Sequence, residues 1–126
     1  MTEITIRGVL EYDKLGEEEF VSVKIMGYNP HGALIFEMAP EMGYMTDWGE
    51  FARACEKGGN MSEDYGPSNG SCEIEVRDGV ISFTVAKYGD GAGGSLVFYA
   101  MASGCAAGFA QLAADLAEFQ ARDSAM

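Results

Sequence analysis

The stretch Ile74-Glu-Val-Arg-Asp-Gly-Val-Ile-Ser-Phe-Thr-Val85 decides the fold. Ile74 and Val76 alternate with charged residues up to Asp78-Gly79, and Ile81, Phe83 and Val85 alternate beyond it. Period-two patterning turns one face of each segment toward a core, and Asp-Gly supplies the positive φ angles of a tight hairpin turn. An antiparallel pair is predicted here. The same alternation recurs at Ile4, Ile6, Leu10 and Tyr12, at Val21, Val23 and Ile25, at Leu34, Phe36 and Met38, and at Leu96, Phe98 and Ala100.

Two segments change period. Trp48, Phe51, Ala52 and Cys55 fall on one helical face, with Thr46 as the expected N-cap, Asp47 and Glu50 at the positive end of the dipole, and Gly58-Gly59 as the stop. From Ser103, the residues Cys105, Phe109, Leu112, Leu116 and Phe119 make an apolar stripe, which Ala106, Ala110, Ala113 and Ala117 widen. The resulting order is βββα-βββα. It predicts a single α+β domain over residues 1–126, with antiparallel sheet or sheets and both helices packed on one face. The turn-rich residues 59–70 read as a loop joining halves 1–59 and 71–123. Gly32-Ala-Leu-Ile-Phe36 echoes Gly94-Ser-Leu-Val-Phe98, a match that either duplication or the small alphabet of buried strands explains.

Twenty acidic residues stand against eight basic ones, and 48% of the chain is hydrophobic. That much apolar content supports a packed core, so the acids form an anionic coat and are not a mark of disorder. Such a coat repels nucleic acid and anionic membranes and attracts basic partners. The first seventy residues carry thirteen of the acids and five of the bases.

Residues 91–114 carry no charge and contain a G-x-x-x-G, Gly104 to Gly108. Padding by Gly, Ala and Ser, acidic flanks at Asp90 and Asp115, and a change of period midway argue for strand followed by helix over a membrane span. The small residues would also suit a homodimer through the 103–120 helix. Cys55, Cys72 and Cys105 are too far apart in sequence for a metal motif and sit among apolar neighbours as free thiols do. With no basic region before an apolar core at the N-terminus, a cytoplasmic protein without a secretory signal is expected. The sequons at Asn60 and Asn69 then have no use.

No motif announces catalysis. Gly66-Pro-Ser-Asn-Gly70 matches G-x-S-x-G but precedes a strand, where a nucleophile elbow follows one, and the sole histidine, His31, lies in a turn composition before it. Gly89-Asp-Gly-Ala-Gly-Gly94 lacks the Lys-Ser/Thr ending of a phosphate loop and reads as a hairpin connection. Asp13 with Glu17, Glu18 and Glu19, and Glu63 with Asp64, lack calcium-ligand spacing and read as charged loops. No catalytic residue, metal site or cofactor is expected.

A binding surface is the stronger reading. Glu41, Met42, Tyr44, Met45, Asp47, Trp48 and Glu50, together with Glu63, Asp64 and Tyr65, interleave Met and aromatic side chains with carboxylates. Interface cores favour the former, and charged rims steer an oppositely charged partner onto them. Trp48 and Met38 serve equally well as core. In size and charge the chain resembles small acidic immunity proteins and phage-encoded anti-CRISPR proteins, a likeness of composition only. It implies a non-enzymatic protein that binds and blocks a basic, nucleic-acid-handling protein. The alternatives are a small enzyme or ligand-binding module using carboxylates, and an acidic structural or assembly component.

Overall fold

A computed structural model of the chain describes residues 3–15, 18–65, 72–87 and 94–124. Two antiparallel sheets carry the fold. The first orders β1 (Thr5–Leu15), β2 (Glu18–Tyr28) and β3 (Leu34–Met38). The second orders β4 (Met61–Tyr65), β5 (Cys72–Arg77), β6 (Val80–Lys87) and β7 (Gly94–Met101). Helix α1 (Trp48–Lys57) ends the first half, and α2 (Ala106–Ser124) follows β7 through a 3-10 turn at Ala102–Cys105. The α+β class and the expected order hold, with one strand added at the head of the second half.

That added strand corrects the expected loop at 59–70. β4 pairs with β5 from Met61 opposite Val76 to Tyr65 opposite Cys72. Ser, Glu and Asp disfavour strands in isolation, so pairing with β5 and burial of Tyr65 carry it. Asp13, Glu18 and Glu19 of the other acidic cluster likewise lie in strands and not in a loop. Asp13 pairs with Phe20, Lys14 with Glu19 and Leu15 with Glu18, extending β1 and β2 to eleven residues each. The elbow-like Gly66–Gly70 segment lies outside the described residues, as do Glu17, Asn69 and most of the Gly89–Gly94 loop.

The Asp78-Gly79 hairpin forms as expected. Arg77 pairs with Val80, and Asp78 and Gly79 take φ of 53° and 79°, the paired left-handed angles that match strand twist. Alternate residues Ile74, Val76, Ile81, Phe83 and Ala100 of the second sheet are buried, as are Ile6, Val23, Ile25, Phe36 and Met38 of the first and Ile4 just before β1. Phe36 ties the sheets together, its ring centroid 4.8 Å from that of Phe83 and 4.9 Å from that of Phe98. On the outer face of the first sheet, Lys24 bridges Glu37 at 2.8 Å and Glu11 at 3.1 Å. The hydrogen bonds to Glu37 and then Glu11 raise its pKa.

Helices α1 and α2 pack on each other, and α2 lies along β1. The crossing is tight because glycine lines both sides of it. A Cβ on Gly108 would lie 2.4 Å from the Ile6 carbonyl oxygen, one on Gly104 3.3 Å from that of Ile4, and one on Gly8 2.7 Å from the Leu112 side chain. The Cys105 thiol donates to the Ile4 carbonyl at 3.3 Å. The G-x-x-x-G that imitates a membrane motif thus fits a helix against a strand inside one chain. No described helix is long and apolar enough to cross a membrane.

All three cysteines are buried free thiols. Desolvation pushes Cys55 and Cys72 up to about 11 and Cys105 up to about 12. Thiolate, the reactive form, is therefore scarce near neutrality, and these side chains act as packing groups.

Candidate functional site

The segment before α1 is built from the core outward. Trp48 is 1% exposed, and its ring stacks on Phe51, Phe109 and Tyr65 at centroid distances of 5.6, 5.8 and 6.3 Å. A buried indole needs a partner for its N–H. Trp48 Nε1 donates to the Gly43 carbonyl at 2.8 Å and so ties the 3-10 turn Gly43–Met45 to the core. Gly43 is itself buried, with a Cβ site only 3.1 Å from Val23 Cβ.

Anchoring Gly43 forces its neighbours outward. Gly43 N donates to the Pro40 carbonyl at 3.0 Å, which closes a turn over Glu41 and Met42. Met42 then takes the left-handed conformation, φ 56° and ψ 31°. That conformation costs a side-chain-bearing residue roughly 1–2 kcal/mol. Met42 is 56% exposed and Met45 68%, so neither methionine recovers the cost by burial.

Opposite the turn stands β4. Thr46 Oγ1 and Tyr65 Oη hydrogen-bond at 3.0 Å and join the two walls. Glu41, Met42, Met45 and Thr46 on one side and Glu63, Asp64 and Tyr65 on the other line an open groove of about 470 Å³. Its carboxylates, Glu41, Glu63 and Asp64, make no ion pair among the described residues. Glu11, Glu37, Glu75 and Glu118 each do. The groove is anionic, with thioethers exposed beside the carboxylates and an aromatic floor. It suits a cationic side chain whose aliphatic stem lies along apolar surface.

The expected site residues therefore divide. Glu41, Met42, Met45, Glu63, Asp64 and Tyr65 come together, although about twenty residues separate the two clusters in sequence. Tyr65 was expected at a surface. It is buried at the groove floor, where burial chiefly, and Glu63 and Cys72 to a lesser degree, raise its phenol pKa against the opposing Thr46 hydrogen bond. Trp48 belongs to the platform beneath the groove. Tyr44 is 39% exposed but lies outside the lining. Asp47, and not Thr46, caps α1, its Oδ1 accepting from Glu50 N at 3.0 Å. Glu50 sits on the exposed helix surface. Thr46 is the wall residue that composition missed, since an expected cap gives no hint of a cross-strand bond to Tyr65.

A sequence model for the family described as "Family of unknown function (DUF5766)" matches residues 33–111, more than half of the chain. The chain belongs to this family. In this DUF5766 protein the match spans both walls of the groove, α1 and β7, and leaves β1, β2 and most of α2 outside. No curated protein and no solved structure matches the chain.

A second groove, of about 460 Å³, lies between β1 and α2 and includes Arg7, Tyr12, Asp115, Glu118, Phe119 and Arg122. Polar groups there engage one another: Gln111 donates to Asp115 at 2.8 Å, and Arg122 pairs with Glu118. His31 has a local role, its backbone N–H donating to Asn29 Oδ1 at 2.9 Å in the turn before β3. Among the described residues no three His, Cys, Asp or Glu side chains are grouped to hold a metal ion.

Proposed function

We propose that this protein is a non-enzymatic binder that seats a basic surface of another protein in the groove between the 43–45 turn and β4, and blocks it. One observation carries the reading: Met42 and Met45 stand exposed beside the carboxylates of Glu41, Glu63 and Asp64 on opposing walls. Carboxylates of one sign steer a cationic partner and raise its association rate, while the methionines supply adaptable apolar contact. A partner with a cationic cleft is typically one that handles nucleic acid, so the chain acts as an immunity or anti-defence inhibitor acts, by covering that cleft. Twelve surplus negative charges disfavour direct contact of the chain with nucleic-acid phosphates. Cys55, Cys72 and Cys105, buried as free thiols, support a reducing, cytoplasmic setting.

The test is capture on the immobilised full chain, with retained proteins identified by mass spectrometry. The expected set is enriched in basic nucleases or nucleic-acid-binding effectors, released by rising salt and lost from a Met42→Ala/Met45→Ala variant. Purified members of the set should lose nuclease or nucleic-acid-binding activity stoichiometrically. Retention without a bias to basic proteins, or indifferent to salt and to both methionines, overturns the proposal.

A further inference from the structure

We infer that the free edge of β7 pairs with the same edge of a second copy of this chain, joining two four-stranded sheets into one continuous antiparallel sheet. The observation is how differently the margins of the two sheets are protected. An unpaired edge strand presents a row of free N–H and C=O groups, which folded proteins shield by covering, shortening or charging it. The edge strand β1 has α2 and the 3-10 turn before it along its side, with close approach at Gly108 and Gly104 respectively. β3 is five residues long and carries Glu37. β4 is five residues long and carries Glu63 and Asp64.

Among the described residues β7 has none of these protections. It runs eight residues without a charge, among the described residues no strand pairs with its outer side, and it exposes Leu96, Val97, Tyr99 and Met101. Tyr99 and Leu96 are each 60% exposed. The strand beside it, β6, is uncharged from Val80 to Ala86, with Val80, Ser82 and Thr84 opposite Met101, Tyr99 and Val97, and its one charge is the terminal Lys87, opposite Gly94.

Charge selects the second copy as occupant. Two chains with twelve surplus negative charges each repel over most of their surfaces. At β7 the nearest strand that carries acids is β5, with Glu73 and Glu75. In a joined sheet the two β5 strands lie about five strand spacings apart, roughly 24 Å, well beyond a Debye length of about 8 Å at physiological salt. A basic partner finds no carboxylate on this strand. A two-fold axis near Phe98 keeps the inner faces together and sets Val97 of one copy opposite Tyr99 of the other, a β-branched and aromatic pair that stabilises antiparallel contacts. The interface is separate from the groove, so each proposal stands or falls without the other.

Sedimentation velocity on the full chain, from about 5 to about 500 µM, covers the affinity range of weak homodimers. The expected result is a concentration-dependent dimer that tightens several-fold as NaCl is raised, because screening relieves repulsion between two anions. Val97→Lys/Tyr99→Lys should weaken it at least about tenfold, with an unchanged circular dichroism spectrum because both side chains are exposed. Ala110→Lys/Ala117→Lys, on the exposed face of α2, should leave it intact. Amide exchange of the unmodified chain should show protection of β7 rising with concentration, which keeps the test independent of how the variants fold. A monomer at the highest concentration, a dimer that survives the β7 pair, or one abolished by the α2 pair overturns the inference.

Discussion

The groove between the 43–45 turn and β4 and the outer edge of β7 both leave large apolar side chains in water, but their electrostatic surroundings are opposite. Met42 and Met45 stand beside Glu41, Glu63 and Asp64, whereas Leu96, Val97, Tyr99 and Met101 have no charge on their strand. Exposed apolar surface alone marks contact with something. The surrounding charge distinguishes what that something is, since an anionic rim selects a cation and a neutral strip tolerates another anion. Salt separates the two surfaces directly, weakening a contact at the groove and strengthening one at β7.

The largest break in this comparison is Trp48→Ala. It removes a fully buried ring stacked on Phe51, Phe109 and Tyr65 and frees the Gly43 carbonyl. A loss of roughly 3–5 kcal/mol is expected in a denaturant titration. Below the unfolding midpoint, partner binding should disappear while self-association through β7 persists. Loss of both together would show that the surfaces are not independent.

Next in size is Glu41→Gln/Glu63→Gln/Asp64→Asn. Rim charges of this kind contribute about 0.2–1 kcal/mol each, so loss of three should lower binding of a basic partner by roughly threefold to a hundredfold, with a flatter salt dependence. Calorimetry at two salt concentrations reads both effects, and the β7 dimer should be unchanged or slightly tighter.

The smallest effect is Met42→Gly. Relief of a left-handed side chain gains about 1–2 kcal/mol, and the added freedom of the unfolded chain returns about 0.5–1 of it. A net stabilisation near 0.5 kcal/mol is expected from thermal melts, together with weaker partner binding. A more stable protein that binds less well would identify the strain at Met42 as serving the groove.

Most of the fold is legible because alternation and helical spacing are strong where burial is one-sided. The β5–β6 hairpin reads directly, since Ile74, Val76, Ile81 and Phe83 point inward and Asp78-Gly79 admits one tight turn. β4 was not legible. Its Ser62, Glu63 and Asp64 resemble a loop, and only the distant β5, together with burial of Tyr65, makes the segment a strand. The site was half legible for the same reason: composition marks residues 41–50 and 63–65, but their convergence depends on β4, and the depth of Tyr65 depends on the stack beneath it. Thr46 misled because a residue suited to cap a helix is equally suited to hydrogen-bond across to a tyrosine. The G-x-x-x-G reads correctly as part of a strand-then-helix segment, but its neighbour was not legible, because close approach needs small residues whether the partner is another helix or, as here, the Ile4 and Ile6 carbonyls.

That crossing has a kinetic consequence. The Cys105 thiol and the Ile4 carbonyl it meets are 101 residues apart, so β1 gains its cover only after nearly all of the intervening chain has been made. During vectorial synthesis the long β1–β2 hairpin emerges early with its outer edge open, and contacts of such high sequence separation form slowly. Arrival of α2 and the turn before it, with Gly108 and Gly104 shaped to fit the strand, is then the step that ends the exposure of the nascent chain to chaperones and to misassembly with its neighbours.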